Sequence, residues 1–316
     1  MKDNHPLRRA ARYVVEHRSP AAIALVSTVL LILGKCFSPM LVSEGSSSIG
    51  IVMLPIIVFI LPSAVLIRTR DKHYLGRLML APGKPDTLLL SLLSALVLIS
   101  GGLLLSILTS GIRRLPGVFT LYDTFEATLT GSAENTLFLL IAYALLPAIG
   151  EELLFRGILR EAYEKHGGIV AILFPAILFS MIHLRPSGIP VYLFSGLILG
   201  FTAYLCRSVT AAVIAHFLYN VFGLFGQPYI SSFYYVAGSR VLFVFLLVFV
   251  LLLSLALFFG EVSRLCRLYA DKNLPLLLPV PAKPEKGVLK SLFLAPDAIA
   301  GFVIFVISSI LLAIFA

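Results

Sequence analysis

The chain has 316 residues, 59% hydrophobic and 13% charged, against roughly 25% charged in soluble domains. With a mean hydropathy of +0.99 it cannot cover itself with polar surface, so a soluble fold is excluded and lipid is the solvent. The net charge of +9 includes no basic run interleaved with polar-face aromatics, which argues against a nucleic-acid partner. The three cysteines, Cys36, Cys206 and Cys266, form no CxxC, which argues against a disulfide framework or structural zinc.

A basic N-terminal stretch (Lys2, Arg8, Arg9, Arg12, Arg18) precedes an apolar run from Pro20 to about Val42. That run is longer than a signal-peptide core and lacks a clean small-x-small cleavage site, so it reads as a first span. A span needs about 20 apolar residues. Nine windows qualify: 20–42, 49–67, 87–109, 135–162, 169–184, 189–206, 208–225, 241–260 and 298–316. The expected fold class is therefore an all-α polytopic bundle of about nine transmembrane helices. The fifth and sixth windows are short and are separated by the breaker cluster Arg185-Pro186-Ser187-Gly188.

With the N-terminus inside, twenty Lys and Arg fall on the inner side and four (Arg113, Arg114, Arg185, Arg240) on the outer, with Lys35 inside the first span. This positive-inside asymmetry supports nine spans, and an eight-span arrangement would spoil the alternation. The loop 110–134 is expected outside. The Pro- and Lys-containing segment 261–297 is expected to be an inner linker, part of which (Leu274 to Pro281) could rest among headgroups. No internal repeat is visible, which weakens an inverted-repeat transporter reading.

Glu151-Glu152-Leu153-Leu154-Phe155-Arg156-Gly157 interrupts the fourth window. A charge inside a span costs roughly 2.5–3.5 kcal/mol on insertion scales and marks function by default. Glu152 and Arg156, at i,i+4, share a face and are expected to pair; the bland reading is a structural ion pair at a helix end. Glu151 points about 100° away and must face a wet cavity or another helix. His183 closes the fifth window, where the bland reading is a histidine wetted by headgroups. His216 and Asn220, at i,i+4 in the seventh, could alternatively be helix–helix glue. Counted from the inner ends of their spans at 1.5 Å per residue, Glu151, His183 and His216 lie roughly 21, 22 and 14 Å deep. Three helices therefore deliver polar groups to one intramembrane layer. A carboxylate in a low-dielectric cleft is a general base for water, an imidazole can orient that water, and a second imidazole with an amide can stabilise an oxyanion. Glu151, His183 and His216 could equally hold zinc, although no HExxH is present.

The runs EELLFRG (151–157), FSMIHL (179–184) and HFLYN (216–220) resemble the EExxxR, FxxxH and HxxxN motifs of the CPBP intramembrane protease family. That family takes in CAAX prenyl endopeptidases and bacterial Abi-type proteins. The likeness covers about residues 135–225. It implies a four-helix catalytic core there, flanked by an N-terminal transmembrane segment (1–134) and a C-terminal one (226–316) that carries the inner linker. It implies Glu151 as base with His183 helping to activate water, His216 and Asn220 as oxyanion donors, and Glu152 and Arg156 in support. A metal-independent glutamate mechanism is the expectation, with zinc as the alternative cofactor. The implied partners are the bilayer and a peptide or protein substrate, with or without attached lipid. The compact loops and basic N-terminus fit a bacterial cell membrane with the N-terminus cytoplasmic. Two other readings are a non-catalytic scaffold or bacteriocin-immunity protein, and a proton-coupled transporter relaying protons through Glu151 and His216.

Overall fold

The computed structural model describes residues 21–41, 47–110, 136–226, 229–230, 233–234, 240–274 and 287–315, and among these there is no strand. The basic N-terminal stretch, most of the outer loop and most of the inner linker lie outside the described residues. Among the described residues six helices are long and apolar enough to cross a membrane, and three shorter apolar helices accompany them. Each of the nine windows falls on one of these.

In chain order the helices are α1 (Ala21–Leu41), α2 (Ser47–Thr69), the short α3 (Tyr74–Arg77), α4 (Pro85–Ser110) and α5 (Thr136–Glu164). They continue with α6 (Gly168–Ile182), α7 (Ile189–Cys206), α8 (Val209–Gly226), α9 (Arg240–Asp271), α10 (Val288–Phe293) and α11 (Pro296–Phe315). Helix α9 runs eleven residues past the expected end of its window at 260. Glu261, Leu265 and Tyr269, spaced one turn apart, are buried there, so a helical stripe continues after the hydropathy has faded. The inner linker is correspondingly shorter than expected and ends in α10.

Four stretches among the described residues are π-helical: Ile56–Ile60 in α2, Leu140–Leu145 and Leu153–Leu159 in α5, and Phe222–Gly226 in α8. Two of them precede a proline of the same helix (Pro62, Pro147), whose ring would clash with the carbonyl four residues back in a regular helix; a wide turn relieves that clash. The stretch Leu153–Leu159 has no proline. There the Arg160 backbone N–H bonds the Phe155 and Gly157 carbonyls, and the Arg160 side chain reaches back from Nε to the Arg156 carbonyl at 2.9 Å. A buried guanidinium thus satisfies a backbone acceptor inside the wide turn.

The bundle has two hydrophobic halves. One joins α1, α2, α5 and α6 through Leu31, Phe59, Phe155, Phe174 and Phe179, and the other joins α4, α7, α8 and α9 through Leu90, Val97, Leu205, Ala211 and Phe258. Helices α6 and α7 approach closely because Gly196 and Gly200 line the contact. A Cβ on Gly196 would lie 2.9 Å from Ala176 Cα, and one on Gly200 would lie 3.2 Å from Ile172 Cγ2. This is small-residue packing at i,i+4, the usual device where no water drives helices together. Helix α4 is tied to α7 by a buried Ser94–Thr202 hydroxyl bond of 2.7 Å. Much of α9 exposes large apolar side chains, among them Phe245, Phe249, Leu252 and Phe259, a face suited to lipid.

The Lys- and Arg-rich end of the bundle is strapped by the segment around α3. Arg77 bonds Asp71 and Glu161, each at 2.8 Å, and Arg160 donates to the Arg77 carbonyl. The Val209 N–H bonds the Met79 carbonyl at 2.8 Å, and the Ser208 hydroxyl donates to the Ala81 carbonyl at 2.7 Å. The strap therefore joins the ends of α5 and α8, the two helices that carry the acidic pair and His216. At the strap's exposed edge, the hydrogen bond from Arg77 holds the Asp71 carboxyl below the usual carboxylate range. Burial pushes the Tyr74 hydroxyl up to about 12.

Candidate active site

The site lies at the seam between the two halves, and all six motif residues are buried there: Glu151, Glu152, Arg156, His183, His216 and Asn220. Glu152 is its junction. Its Oε1 accepts from Arg156 Nη1 at 2.8 Å and from His216 Nδ1 at 2.8 Å. The intrahelical pair expected from the i,i+4 spacing is present, and it sits inside the bundle with Glu152 at 0% and Arg156 at 2% exposure. The bond to His216 crosses from α5 to α8. Arg156 spends its other nitrogen, Nη2, on the Gly196 carbonyl of α7 at 3.0 Å. Its guanidinium carbon stands 4.5 Å from the centre of the Phe179 ring of α6, a cation–π contact in a dry setting. One arginine thus ties two further helices, α6 and α7, to the acidic pair on α5.

Glu151 has His216, Glu152 and Arg156 as its charged or titratable neighbours. Its Oε2 is buried and makes no hydrogen bond among the described residues, and the same is true of Glu152 Oε2. Buried carboxylate oxygens are normally satisfied, so an unsatisfied pair at a site of this kind fits water or a substrate amide. Asn220 donates from Nδ2 to the Ala144 carbonyl at 3.3 Å, which orients its amide toward α5; the amide nitrogen carries a second hydrogen.

His183 caps α6. Its Nδ1 bonds the Phe179 carbonyl at 2.7 Å; a carbonyl only accepts, so Nδ1 carries the proton and Nε2 is the acceptor of the neutral ring. His183 is buried and not the wetted interfacial histidine of the bland reading. The Phe179 ring links the two imidazoles, with centroids 4.9 Å from His183 and 6.2 Å from His216. The depth argument expected three helices to reach one layer, and α5, α6 and α8 do meet around Glu152 and Phe179.

The sequence reading missed the backbone acceptors at Gly196 and Ala144, which no residue type signals. It also missed Tyr192, whose ring stacks on His183. Gly196-x-x-x-Gly200 was a legible signal for the close helix approach that brings the Gly196 carbonyl within reach of Arg156. Among the described residues no three His, Cys, Asp or Glu side chains are grouped to share a metal ion.

The fold and the site together define a polytopic helical membrane protein with an acid–imidazole centre buried in its bundle. Residues 133–222 match the family model described as type II CAAX prenyl endopeptidase Rce1-like, so this segment is similar to CAAX-type membrane proteases. The match takes in all three motifs and under a third of the chain. No curated protein and no solved structure matches the chain.

Proposed function

We propose that the protein is an intramembrane endopeptidase that cleaves a peptide bond of a membrane-associated substrate, with or without a prenyl group, by glutamate-activated water. The observation that carries this reading is the buried Glu151 carboxylate with an uncommitted Oε2, set beside a Glu152 whose Oε1 is held by both Arg156 and His216. Glu151 is available for chemistry, whereas Glu152 holds the site through Oε1 and keeps one oxygen, Oε2, uncommitted.

In the proposed reaction Glu151 takes a proton from water as the water oxygen attacks the scissile carbonyl carbon. His183, fixed by its Nδ1–H bond, accepts from that water at Nε2 and orients it. The carbonyl oxygen becomes an oxyanion stabilised by His216 and by the second amide hydrogen of Asn220. His216, anchored through Nδ1 on Glu152, directs Nε2 at that oxygen. Collapse of the tetrahedral intermediate breaks the C–N bond, and Glu151 returns its proton to the leaving amine. No step is routed through a metal. We further propose that the protein resides in a bacterial cell membrane with the Lys- and Arg-rich end of the bundle and the N-terminus on the cytoplasmic side.

The test uses the purified full chain in detergent with a panel of fluorogenic peptides, prenylated and unprenylated. Glu151→Ala and His216→Ala run alongside, each protein with and without a chelator. Cleavage that both variants lose and that survives chelation supports the glutamate mechanism. Cleavage abolished by chelation replaces it with a metal one, and cleavage that persists in both variants refutes the site.

A further inference from the structure

The mechanism above uses His183 but leaves open what holds its ring. By itself, a hydrogen bond from Nδ1 to the Phe179 carbonyl leaves the plane of a ring free to turn about it. Two aromatic rings close off that freedom. Phe179 meets His183 edge-on at 4.9 Å and 63°. Tyr192 lies flat against it, with ring centroids 3.9 Å apart and planes 16° from parallel. Both Tyr192 and His183 are buried.

Tyr192 in turn has a backing. After His183 the chain turns sharply: Leu184 takes φ 56°, and Pro186–Gly188 form one turn of 3₁₀ helix before α7 begins at Ile189. Gly188 falls four residues before Tyr192, close against its ring. A Cβ on Gly188 would stand 2.3 Å from Tyr192 Cε2, 2.9 Å from Cζ and 3.1 Å from Cδ2. Those are atoms of a rigid ring pressed against a second ring, so the clash cannot be relieved by a small torsion. The backbone of Gly188 has φ −87°, open to any residue, so what position 188 demands is the absence of a side chain.

We propose that Tyr192 is a positioning residue for His183, seated by the bare backbone of Gly188. The three form a stack (glycine backbone, phenol ring, imidazole) that turns the length of one short loop into the orientation of Nε2. The phenol hydroxyl has no part in this, because the flat face alone sets the imidazole plane. The inference rests on the reading of His183 as a group at the reaction centre. Misplacing a reacting group by about 1 Å costs on the order of 100-fold in rate, so loss of the stack is expected to lower kcat while leaving peptide binding in place.

The experiment compares wild type, Tyr192→Phe, Tyr192→Leu, Gly188→Ala and the double variant G188A/Y192L in detergent. Two readouts are taken. The first is kcat and KM on the peptide cut by wild type, with Glu151→Ala as the inactive reference and thermal denaturation to show that each variant is folded. Expected are a kcat lower by about 10- to 100-fold in Tyr192→Leu and in Gly188→Ala, KM within about twofold, near-normal Tyr192→Phe, and a double variant no worse than either single one. Wild-type kcat in Tyr192→Leu, a Tyr192→Phe as poor as Tyr192→Leu, or multiplicative losses in the double variant overturn the proposal. The second readout needs no activity: the ring-proton resonances of histidine-labelled protein, with His183 assigned through His183→Gln. A stacked imidazole is shifted upfield by the phenol ring current, and the shift is expected to vanish in Tyr192→Leu and Gly188→Ala and to persist in Tyr192→Phe. A His183 resonance indifferent to all three overturns the stack whether or not any peptide is cleaved. A shift that behaves as expected in a protein that cleaves nothing leaves the stack standing and removes the hydrolase reading instead.

Discussion

Arg156→Met isolates the energetics of the buried junction. Methionine keeps the length and the apolar contacts of the side chain but removes the donors to Glu152 Oε1 and to the Gly196 carbonyl, and leaves the Glu152 charge at 0% exposure with only His216 as partner. Breaking a buried ion pair by deleting one member costs about 3–5 kcal/mol. At about 1.4 kcal/mol per factor of ten, the folding equilibrium falls by roughly two to three and a half decades. Reversible unfolding of the purified protein, titrated with a denaturing detergent and followed by circular dichroism, would register the shift. The companion Glu152→Gln/Arg156→Met removes the stranded charge while keeping an acceptor for His216, and is expected to regain most of the lost stability. An Arg156→Met that unfolds at the wild-type midpoint, or a double variant no better than the single one, would refute the account of Glu152 as a buried charge that Arg156 compensates.

Glu151→Gln is expected to lower peptide cleavage by about 100- to 10,000-fold, the range ascribed to a general base, with unfolding at or above the wild-type midpoint, because Oε2 loses no protein partner; a destabilised variant would place Glu151 in the scaffold. The carboxyl of Asp71 is held low by Arg77, from a starting value of 3.8, so its contribution to the strap is present above that value and disappears as pH falls through the still lower folded value. The melting difference between wild type and Asp71→Asn should accordingly be flat from pH 5 to 8 and shrink toward zero in acid below about pH 4, and a difference that grows in acid would contradict the pairing. Gly196→Ala puts a Cβ 2.9 Å from the Ala176 backbone, and overpacking of this kind costs about 1–3 kcal/mol. Thermal denaturation should show that loss together with reduced cleavage, because the Gly196 carbonyl anchors Arg156.

The bundle was legible because a bilayer imposes a length on every apolar run, and each of the nine windows carries a helix. The edge of α9 was not: Glu261 and Arg264 lower the hydropathy of a segment that stays helical because Glu261, Leu265 and Tyr269 share one buried stripe. The motif residues stood out because carboxylates and a guanidinium inside a span are expensive, and the Glu152–Arg156 pair followed from helical geometry alone. The His216–Glu152 bond did not follow. It depends on how α8 is rotated against α5, and a sequence fixes the phase of residues within a helix but not between two. Tyr192 was hidden for a related reason: an apolar aromatic in a span looks like lipid-facing or core filler until its neighbour is seen to be an imidazole.

The wide turn at Leu153–Leu159 also bears on how this chain tolerates changes of length. A wide turn takes in a residue that a regular turn would leave out, so α5 already holds slack just beyond the acidic pair. Losing one residue among 157–159 would let that turn tighten to ordinary helix, with Glu151 and Glu152 still facing His216 and Glu164 still facing Arg160. The same loss within α6 or α7 has no such slack to draw on, and would swing every later side chain by about 100°, taking His183 or the Gly196 carbonyl off the site. Single-residue deletions along the chain should therefore be graded by where the helix has room to absorb them, and the helix bearing the acidic pair has such room just beyond that pair.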